Sequence, residues 1–405
     1  MNVAPLRLAG LALLLSCVLV ACTPSIREPA PVHVLTAEPM QRIRVLTYNT
    51  LHGLEASGMT VRAGESSEAR QARLNRQFRQ LSLVEPDAIL LQEVNPLPEL
   101  AEAYVTALKG LGLAYTEVHQ VEACGVRITP GLAVVPGLNS GLVILAKSPL
   151  QLRKLKGLKL SGGLGGCQDF MGLQVNELRY ALVAEIENLR TGRRVLVVNT
   201  HLHSGLERDA YFLQKIAEAQ SRGTLRPADV ADLVATFEQG QQRRLSEVRT
   251  LIKELRQLQA ERATLGVILG GDLNFEPGSP EYQELQRAGL RDTYTIAASS
   301  GDVHSYDPQQ NVIAGRVEGD VPAALSEAVA HLPEADQQRI RDAYRKGVSE
   351  ARRIDFVFLM SDSPDGPHGC MRQELFGQSP TVTVEPGSDH YGVLVTYFAD
   401  SSKCE

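Results

Sequence analysis

The 405-residue chain contains no tryptophan, and aromatic side chains make up only 5% of it. Proteins that hold single-stranded nucleic acid stack bases on aromatic faces, and no such platform is evident here. Positive charge is also short: 41 Lys and Arg stand against 47 Asp and Glu, a net of −6. A broad nucleic-acid groove needs a positive field, so the balance argues against that class of partner. Cysteine is scarce, with six residues, and no Cys-x-x-Cys spacing occurs, which argues against a structural zinc site. The apolar run from Leu8 to Val20 is too short and wrongly flanked to span a bilayer. Internal repeats and low-complexity tracts are missing. What is present is an ordinary globular balance, 43% apolar and 22% charged, with ample material for a core.

The amino terminus is not part of the fold. Arg7, the apolar run and Leu19-Val20-Ala21-Cys22 resemble a bacterial lipoprotein signal. The resemblance implies cleavage of residues 1–21 and lipidation of the Cys22 thiol, and two or more acyl chains would anchor the chain firmly. Thr23, rather than Asp, follows the cysteine, which favours the outer membrane, with the domain in the periplasm or at the cell surface. Loss of Arg7 leaves 40 basic against 47 acidic side chains, a net of −7. Residues 22–40 are Pro-rich and read as a tether. Four cysteines remain, Cys124, Cys167, Cys370 and Cys404, all in loop-like stretches. An oxidising compartment allows up to two disulfides in three connectivities, of which 124–167 with 370–404 is preferred.

Residues 41–400 form the domain. Ile43–Tyr48 alternates as a strand, and Ser67–Glu85 carries Leu74, Phe78, Leu81 and Val84 at helical spacing. Ala88–Leu91 is an apolar strand, Leu97–Leu111 a helix, and Tyr115–Val118 and Ser140–Ala146 are strands flanking a Gly-rich loop. Tyr180–Glu187 and Arg194–Asn199 form a hairpin around Thr191-Gly192. Residues 206–262 read as a helical insertion, interrupted at Gly223–Pro227, whose second half is an exposed helix. Leu265–Leu269 is a buried strand, and a second, solvated helical insertion lies near residues 320–350. Arg352–Leu359, Thr381–Val384 and Gly392–Tyr397 complete the strands. The loose alternation predicts an α/β (α+β) fold, a mixed sheet system covered by helices.

Polar groups recur where strands end. Asn49, Glu93, His201, Asp272 with Asn274, and Asp389 with His390 each follow an apolar run, and Asp355 lies inside a strand. Each has a plain explanation alone, such as an Asx turn at Asp272 and Asn274. Their repetition points to a site. Glu93 and Asn49 offer hard oxygen ligands suited to Mg²⁺, with Mn²⁺ or Ca²⁺ as alternatives. Asp355 and His390 form a candidate proton-transfer pair, and Asp272 and Asn274 could position a nucleophile and an oxygen on phosphorus.

Leu46-Thr-Tyr-Asn49, Leu91-Gln-Glu93, Asn199-Thr-His201, Gly271-Asp-Leu-Asn274, Arg353-Ile-Asp-Phe356 and Ser388-Asp-His-Tyr391 stand in the order found in the endonuclease/exonuclease/phosphatase (DNase I-like) superfamily, which the chain resembles from about residue 42 to 399. The resemblance implies a four-layered α/β sandwich, two mixed sheets packed face to face with helices outside, and metal-dependent phosphodiester hydrolysis by in-line attack of water. It implies that Asn49 and Glu93 hold the cation, Asp389 completes the metal or histidine network, and Asp355 orients His390 as base or phosphate ligand. Asp272 would orient or deprotonate water, Asn274 would touch the phosphate, and His201 would stabilise developing charge.

Asn139–Pro149, Ser305–Asn311 and Thr200–His203 further resemble bacterial neutral sphingomyelinases. Departures are His203 in place of Gln, and Leu178-Arg179 where that family has a Lys-Gly pair; an exposed aromatic hairpin for entering a bilayer is not found. The expected substrate is therefore a phosphodiester, a phospholipid headgroup in preference to nucleic acid, cleaved in sphingomyelinase or phospholipase C fashion. An extracytoplasmic DNase I-like nuclease and a non-catalytic surface binding protein are the alternatives.

Overall fold

In the computed structural model the described residues are 42–57, 60–127, 133–162, 178–204, 210–223, 225–262, 266–299, 303–317, 325–326, 329–348, 350–361, 370–378 and 385–398. The lipoprotein-like segment with Cys22, the tether, Cys167, Cys404, the side chain of Cys124 and the strand expected at Thr381–Val384 lie outside them. In order, the elements are β1 (Arg42–Asn49), β2 (Leu54–Ser57), β3 (Thr60–Ala63), α1 (Ser67–Val84), β4 (Ala88–Val94), α2 (Glu99–Gly110), β5 (Tyr115–Arg127), β6 (Ala133–Lys147) and β7 (Leu150–Ser161). There follow β8 (Arg179–Asn188), β9 (Arg193–His201), α3 (Ala210–Ser221), α4 (Pro227–Glu261), β10 (Gly266–Asp272), α5 (Pro280–Arg287), β11 (Arg291–Asp292), α6 (Thr293–Ile296) and β12 (Ala298–Ser299). Last come α7 (Ala314–Val317), α8 (Glu334–Val348), β13 (Asp355–Ser361), β14 (Cys370–Phe376) and β15 (Gly392–Phe398).

One sheet has seven strands in the order β12-β14-β15-β1-β4-β6-β5, and the other six in the order β11-β13-β10-β9-β8-β7. Both are mixed: β1 runs parallel to β4 and β9 to β10, while most other neighbours are antiparallel. Period-two alternation explains why these strands are apolar on both faces. In the first sheet Leu46, Ile89, Leu91, Val143 and Leu145 pack beneath α1 and α2. Their sequence neighbours Val45, Ala88, Leu90, Leu142 and Ile144 point the other way, onto Leu182, Ala184 and Val197 of the second sheet. On that sheet's outer face Val183, Leu196, Val198, Val267 and Leu269 meet Val248, Leu251 and Leu255 of α4 and Tyr282 and Leu285 of α5. The result is the four-layered α/β sandwich, helices outside and two sheets face to face.

Several elements differ from the reading of the sequence. The second half of α4 is not an exposed helix: Val248, Leu251, Leu255 and Leu258 are buried, as are Arg244 and Glu247 just before them. Its Arg/Gln-rich spacing reflects only the outward face. The insertion near 320–350 is solvated on one side alone, because Ile340 and Tyr344 of α8 join Ile216, Leu225, Leu233, Phe237, Leu325 and Val329 in a separate small core. Two insertions distant in sequence thus bury one another's apolar faces. Cys124 lies in β5, paired with Asn139 of β6, not in a loop. Cys370 opens β14 and is disulfide-bonded. β7 and β14 lack a sequence signal because Lys, Arg and Glu at their outward positions mask the alternation. Among the described residues, no helix is long and apolar enough to cross a membrane.

Among the polar ties that cross between the sheets, Asn199 is buried in the middle of the apolar layer. The β4–β6 register shifts between Leu91 and Val94. There the Asn199 amide of β9 donates to the carbonyls of Leu91 (2.7 Å) and Val143 (2.8 Å). Its oxygen accepts from Gln92 Nε2 at 2.7 Å. Buried carbonyls need partners, and a side chain of the opposite sheet supplies them.

Candidate active site

The strand directions bring the polar ends to one edge. Asn49 and His201 close β1 and β9, Asp272 closes β10, and Glu93 stands one residue before the end of β4. Asp355 is the first residue of β13, not an interior one; because β13 is antiparallel to β10, its start lies opposite Asp272. His390 precedes β15, which is antiparallel to β1. Carboxyl ends of parallel strands and amino ends of antiparallel ones therefore meet along the same rim of both sheets. Gly271 permits the close packing: a Cβ there would sit 1.8 Å from the Thr200 carbonyl oxygen of β9.

Asn49 joins the two sheets. Its Nδ2 donates to Glu93 Oε1 at 3.1 Å and to Asp272 Oδ2 at 3.0 Å, and its Oδ1 accepts from the Leu51 N–H at 3.1 Å. Asp272 Oδ2 also faces two imidazoles, His201 Nε2 at 3.5 Å and His390 Nε2 at 3.7 Å. The other ring nitrogen of His390, Nδ1, lies 2.7 Å from Asp355 Oδ2. That pairing fixes the tautomer with the proton on Nδ1 when the ring is neutral and directs Nε2 at Asp272. Glu93 and Asn274 have left-handed backbones, φ 58° and 51°, a costly choice for such residues that recurs at sites. Asn274 consequently does not project beside Asp272. Its N–H donates to Asp272 Oδ1 at 3.1 Å and its Nδ2 to the Leu202 carbonyl at 3.1 Å, so it holds the Asp272 turn together.

The charges are unequal in cost. Burial raises the Asp272 carboxyl and the Asp355 charge raises it further, against His390 and Asn49, to about 7. Burial also lifts Asp389, whose Oδ1 accepts from Ser388 Oγ at 2.9 Å. His390 is pushed well above its ordinary value: burial opposes its charge, but Asp355 and Asp272 overcome that. Burial likewise opposes ionisation of Glu93, yet His52, His201 and donated hydrogen bonds hold it far below the usual carboxylate range.

This donor set suits a hard divalent cation. Four carboxylates share the rim, three of them buried, and Asp355 Oδ1 is buried without a hydrogen-bond partner. Asp272, Asp355 and His390 have ligating atoms within 4.8 Å of one another. However, the Asp355–His390 contact is accounted for as a hydrogen bond. Glu93 offers a carboxylate held ionised, which fits a cation better; the Asn49 amide presents its Nδ2 to Glu93, so its oxygen would reach the same ion once the amide is turned about its terminal torsion.

Residues without an assigned role in the sequence support this arrangement. Ser305 Oγ accepts from the N–H groups of Ile354 (3.2 Å) and Asp355 (3.0 Å), and its carbonyl from Tyr391 N–H at 2.6 Å. The Tyr306 ring packs on His390, centroids 5.0 Å apart. Asn311 Nδ2 donates to the carbonyls of Ser388 and Asp389, both at 3.0 Å. On the opposite side, Arg73 Nη1 and Gln77 Nε2 of α1 bond the Thr50 carbonyl at 2.6 and 3.1 Å. On α4, Glu247 accepts from His203 N–H at 2.9 Å, and Arg244 donates to its carbonyl at 3.3 Å. The 305–311 segment had a recognisable pattern; Arg73, Gln77, Arg244 and Glu247 had none, because single polar residues on an amphipathic helix look like its wet face.

Comparison with known proteins agrees with this fold. No curated protein matches the chain. Among solved structures, an endonuclease/exonuclease/phosphatase from Bacteroides vulgatus is similar at 16% identity and a TM-score of 0.52, covering 88% of this chain and 98% of that one. Truncated Caenorhabditis elegans TDP2 is similar at 16% identity and 0.50, covering 88% and 98%. A family protein from Bacteroides thetaiotaomicron is similar at 14% and 0.50, covering 89% and 98%. At such identities the likeness shows the fold. The profile of the Endonuclease/Exonuclease/phosphatase family matches residues 46–390, from the strand that delivers Asn49 to His390 itself, and the chain belongs to that family.

Proposed function

We propose that the chain is a divalent-metal-dependent phosphodiester hydrolase acting on a phospholipid headgroup in sphingomyelinase or phospholipase C fashion, with Mg²⁺ as the ion. The observation that carries the chemistry is Asp272 Oδ2, held by Asn49 between the Nε2 atoms of His201 and His390. Asn49 and Glu93 would hold the cation, which supplies Lewis acidity and charge neutralisation at phosphorus. A carboxylate that titrates near 7 is matched to taking a proton from water at neutral pH. Asp272 is therefore assigned as the group that orients the attacking water and accepts its proton. His390, kept cationic by Asp355, is assigned to an oxygen of the phosphate, and His201 to charge developing in the transition state. Asn274 acts through Asp272 and not on the phosphate. Water attacks in line, the P–O bond to the leaving group breaks, and no covalent enzyme intermediate forms.

The preference for a lipid over nucleic acid rests on the negative net charge and on the sphingomyelinase-like segments. In the same reading, the lipoprotein-like amino terminus tethers the domain to a bacterial membrane, through lipid on Cys22. The test is hydrolysis of sphingomyelin, phosphatidylcholine, plasmid DNA and bis-p-nitrophenyl phosphate with Mg²⁺ or EDTA. Metal-dependent turnover highest on a phospholipid is expected. Higher activity on DNA would replace the lipid reading with a nuclease, and no turnover by folded protein on any of them would sink the enzyme reading.

A further inference from the structure

Beside Glu93 lies an imidazole that the reaction above does not use. The turn leaving β1 passes through Leu51 in a left-handed conformation, φ 60°, which folds His52 back over the Glu93 carboxylate. The His52 N–H donates to Glu93 Oε2 at 2.9 Å, and its ring Nε2 stands 3.6 Å from the same oxygen. Asn49 holds the other oxygen, Oε1, at 3.1 Å, and its own Oδ1 caps the turn through Leu51 N–H. Glu93 is thus gripped on one side by the buried amide and faced on the other by an imidazole. The two differ in exposure: the His52 side chain is 37% exposed and that of Glu93 17%. His52 is the more solvent-exposed of the two.

We propose that His52 is a further ligand of the divalent cation held by Asn49 and Glu93, and that it biases the site toward Mn²⁺ over Mg²⁺. The inference rests on the metal reading given under the proposed function. One ion about 2.1 Å from each of two ligand atoms can join atoms up to about 4.2 Å apart, which the 3.6 Å separation satisfies. An imidazole nitrogen among oxygen donors favours a transition-metal ion, whereas Mg²⁺ prefers to keep oxygen and water.

The experiment titrates Mn²⁺ into the full chain, following loss of the free-ion electron paramagnetic resonance signal, with Mg²⁺ as competitor. It is repeated on His52→Ala and His52→Gln, with circular dichroism confirming the fold. Because His52 is partly exposed, both variants are expected to fold. The expected result is a fall in Mn²⁺ affinity of about tenfold or more in both variants, with Mg²⁺ affinity changed less than twofold. The ratio is the decisive quantity, since a general structural effect of the substitution on Glu93 would move both ions together. An unchanged Mn²⁺/Mg²⁺ ratio overturns the role of His52 while leaving the Asn49–Glu93 site standing. Wild-type chain that binds neither ion overturns this inference and the metal reading beneath it.

Discussion

At the scale of single residues, the site is a problem of storing like charges. Asp272, Asp355, Asp389 and Glu93 are four carboxylates on one rim, three of them under 10% exposed. Ionised carboxylates in low dielectric repel and cost free energy unless protons or cations intervene. His390 answers part of this. Its replacement, His390→Ala, is expected to lower kcat by about 10²- to 10⁴-fold in protein that circular dichroism shows to be folded; near-normal kcat would remove it from the reaction. Asp355→Asn tests the pairing more finely. Asp355 helps hold the His390 imidazolium above its ordinary value, so the limb of the pH–rate profile that reports His390 should move to lower pH in the variant. A limb that stays in place would mean Asp355 has only a structural role.

At the scale of elements, the site depends on segments that supply none of its carboxylates or imidazoles. The 305–311 segment ties the start of β13 to the turn before β15, so Asp355 and His390 keep their 2.7 Å contact. Asn311 supplies two of these ties and is fully buried. Asn311→Ala leaves two carbonyls unsatisfied, at about 1–3 kcal/mol each. Turnover is expected to fall more than the stability loss explains, with kcat affected and KM little changed. A loss confined to stability would assign Asn311 to the fold alone. Asn199 acts similarly between sheets. Asn199→Leu should lower unfolding free energy by several times RT, because the carbonyls of Leu91 and Val143 lose this donor together and Gln92 loses one of its acceptors. Chemical denaturation reads this directly, and an unchanged midpoint would show that water replaces the amide.

At the scale of the whole molecule, charge in the site is linked to folding. Asp272 is raised from 3.8 to about 7, so between those values the folded chain holds a proton that the unfolded chain has released. Its contribution is complete below 3.8 and is lost as pH rises through about 7. His390, raised above 6.5, acts in the same direction: its contribution is present below that value and lost as pH rises through the folded one. EDTA-treated protein should therefore lose thermal stability, relative to Asp272→Asn, as pH rises from about 4 to 7. Mg²⁺ or Mn²⁺ should restore most of it at neutral pH. A wild-type and variant pair with parallel pH–stability curves would refute the account of Asp272 as a costly buried charge.

The sequence by itself determined the strands that are apolar on both faces, the helices with one apolar stripe, and the polar residue at each strand end. These are local patterns, set by alternation and by where an apolar run stops. Asn49, Glu93, His201, Asp272 and His390 were legible that way, Asp355 as a polar residue inside a strand, and their order resembled one family. Only the tertiary structure decided that Asp355 opens its strand opposite Asp272, that Asn274 braces a turn instead of reaching outward, and that α4 is a core helix. It also decided the roles of Arg73, Gln77, Arg244, Glu247, Asn311 and Asn199. Each of these bonds a backbone group far away in sequence, and such a contact leaves no periodicity to read. The stretch from Gly270 to Asn274 carries both kinds of information. Its glycines and its aspartate mark the end of a buried strand, but the partners that make Asp272 costly and useful arrive from β1, β9, β13 and the turn before β15.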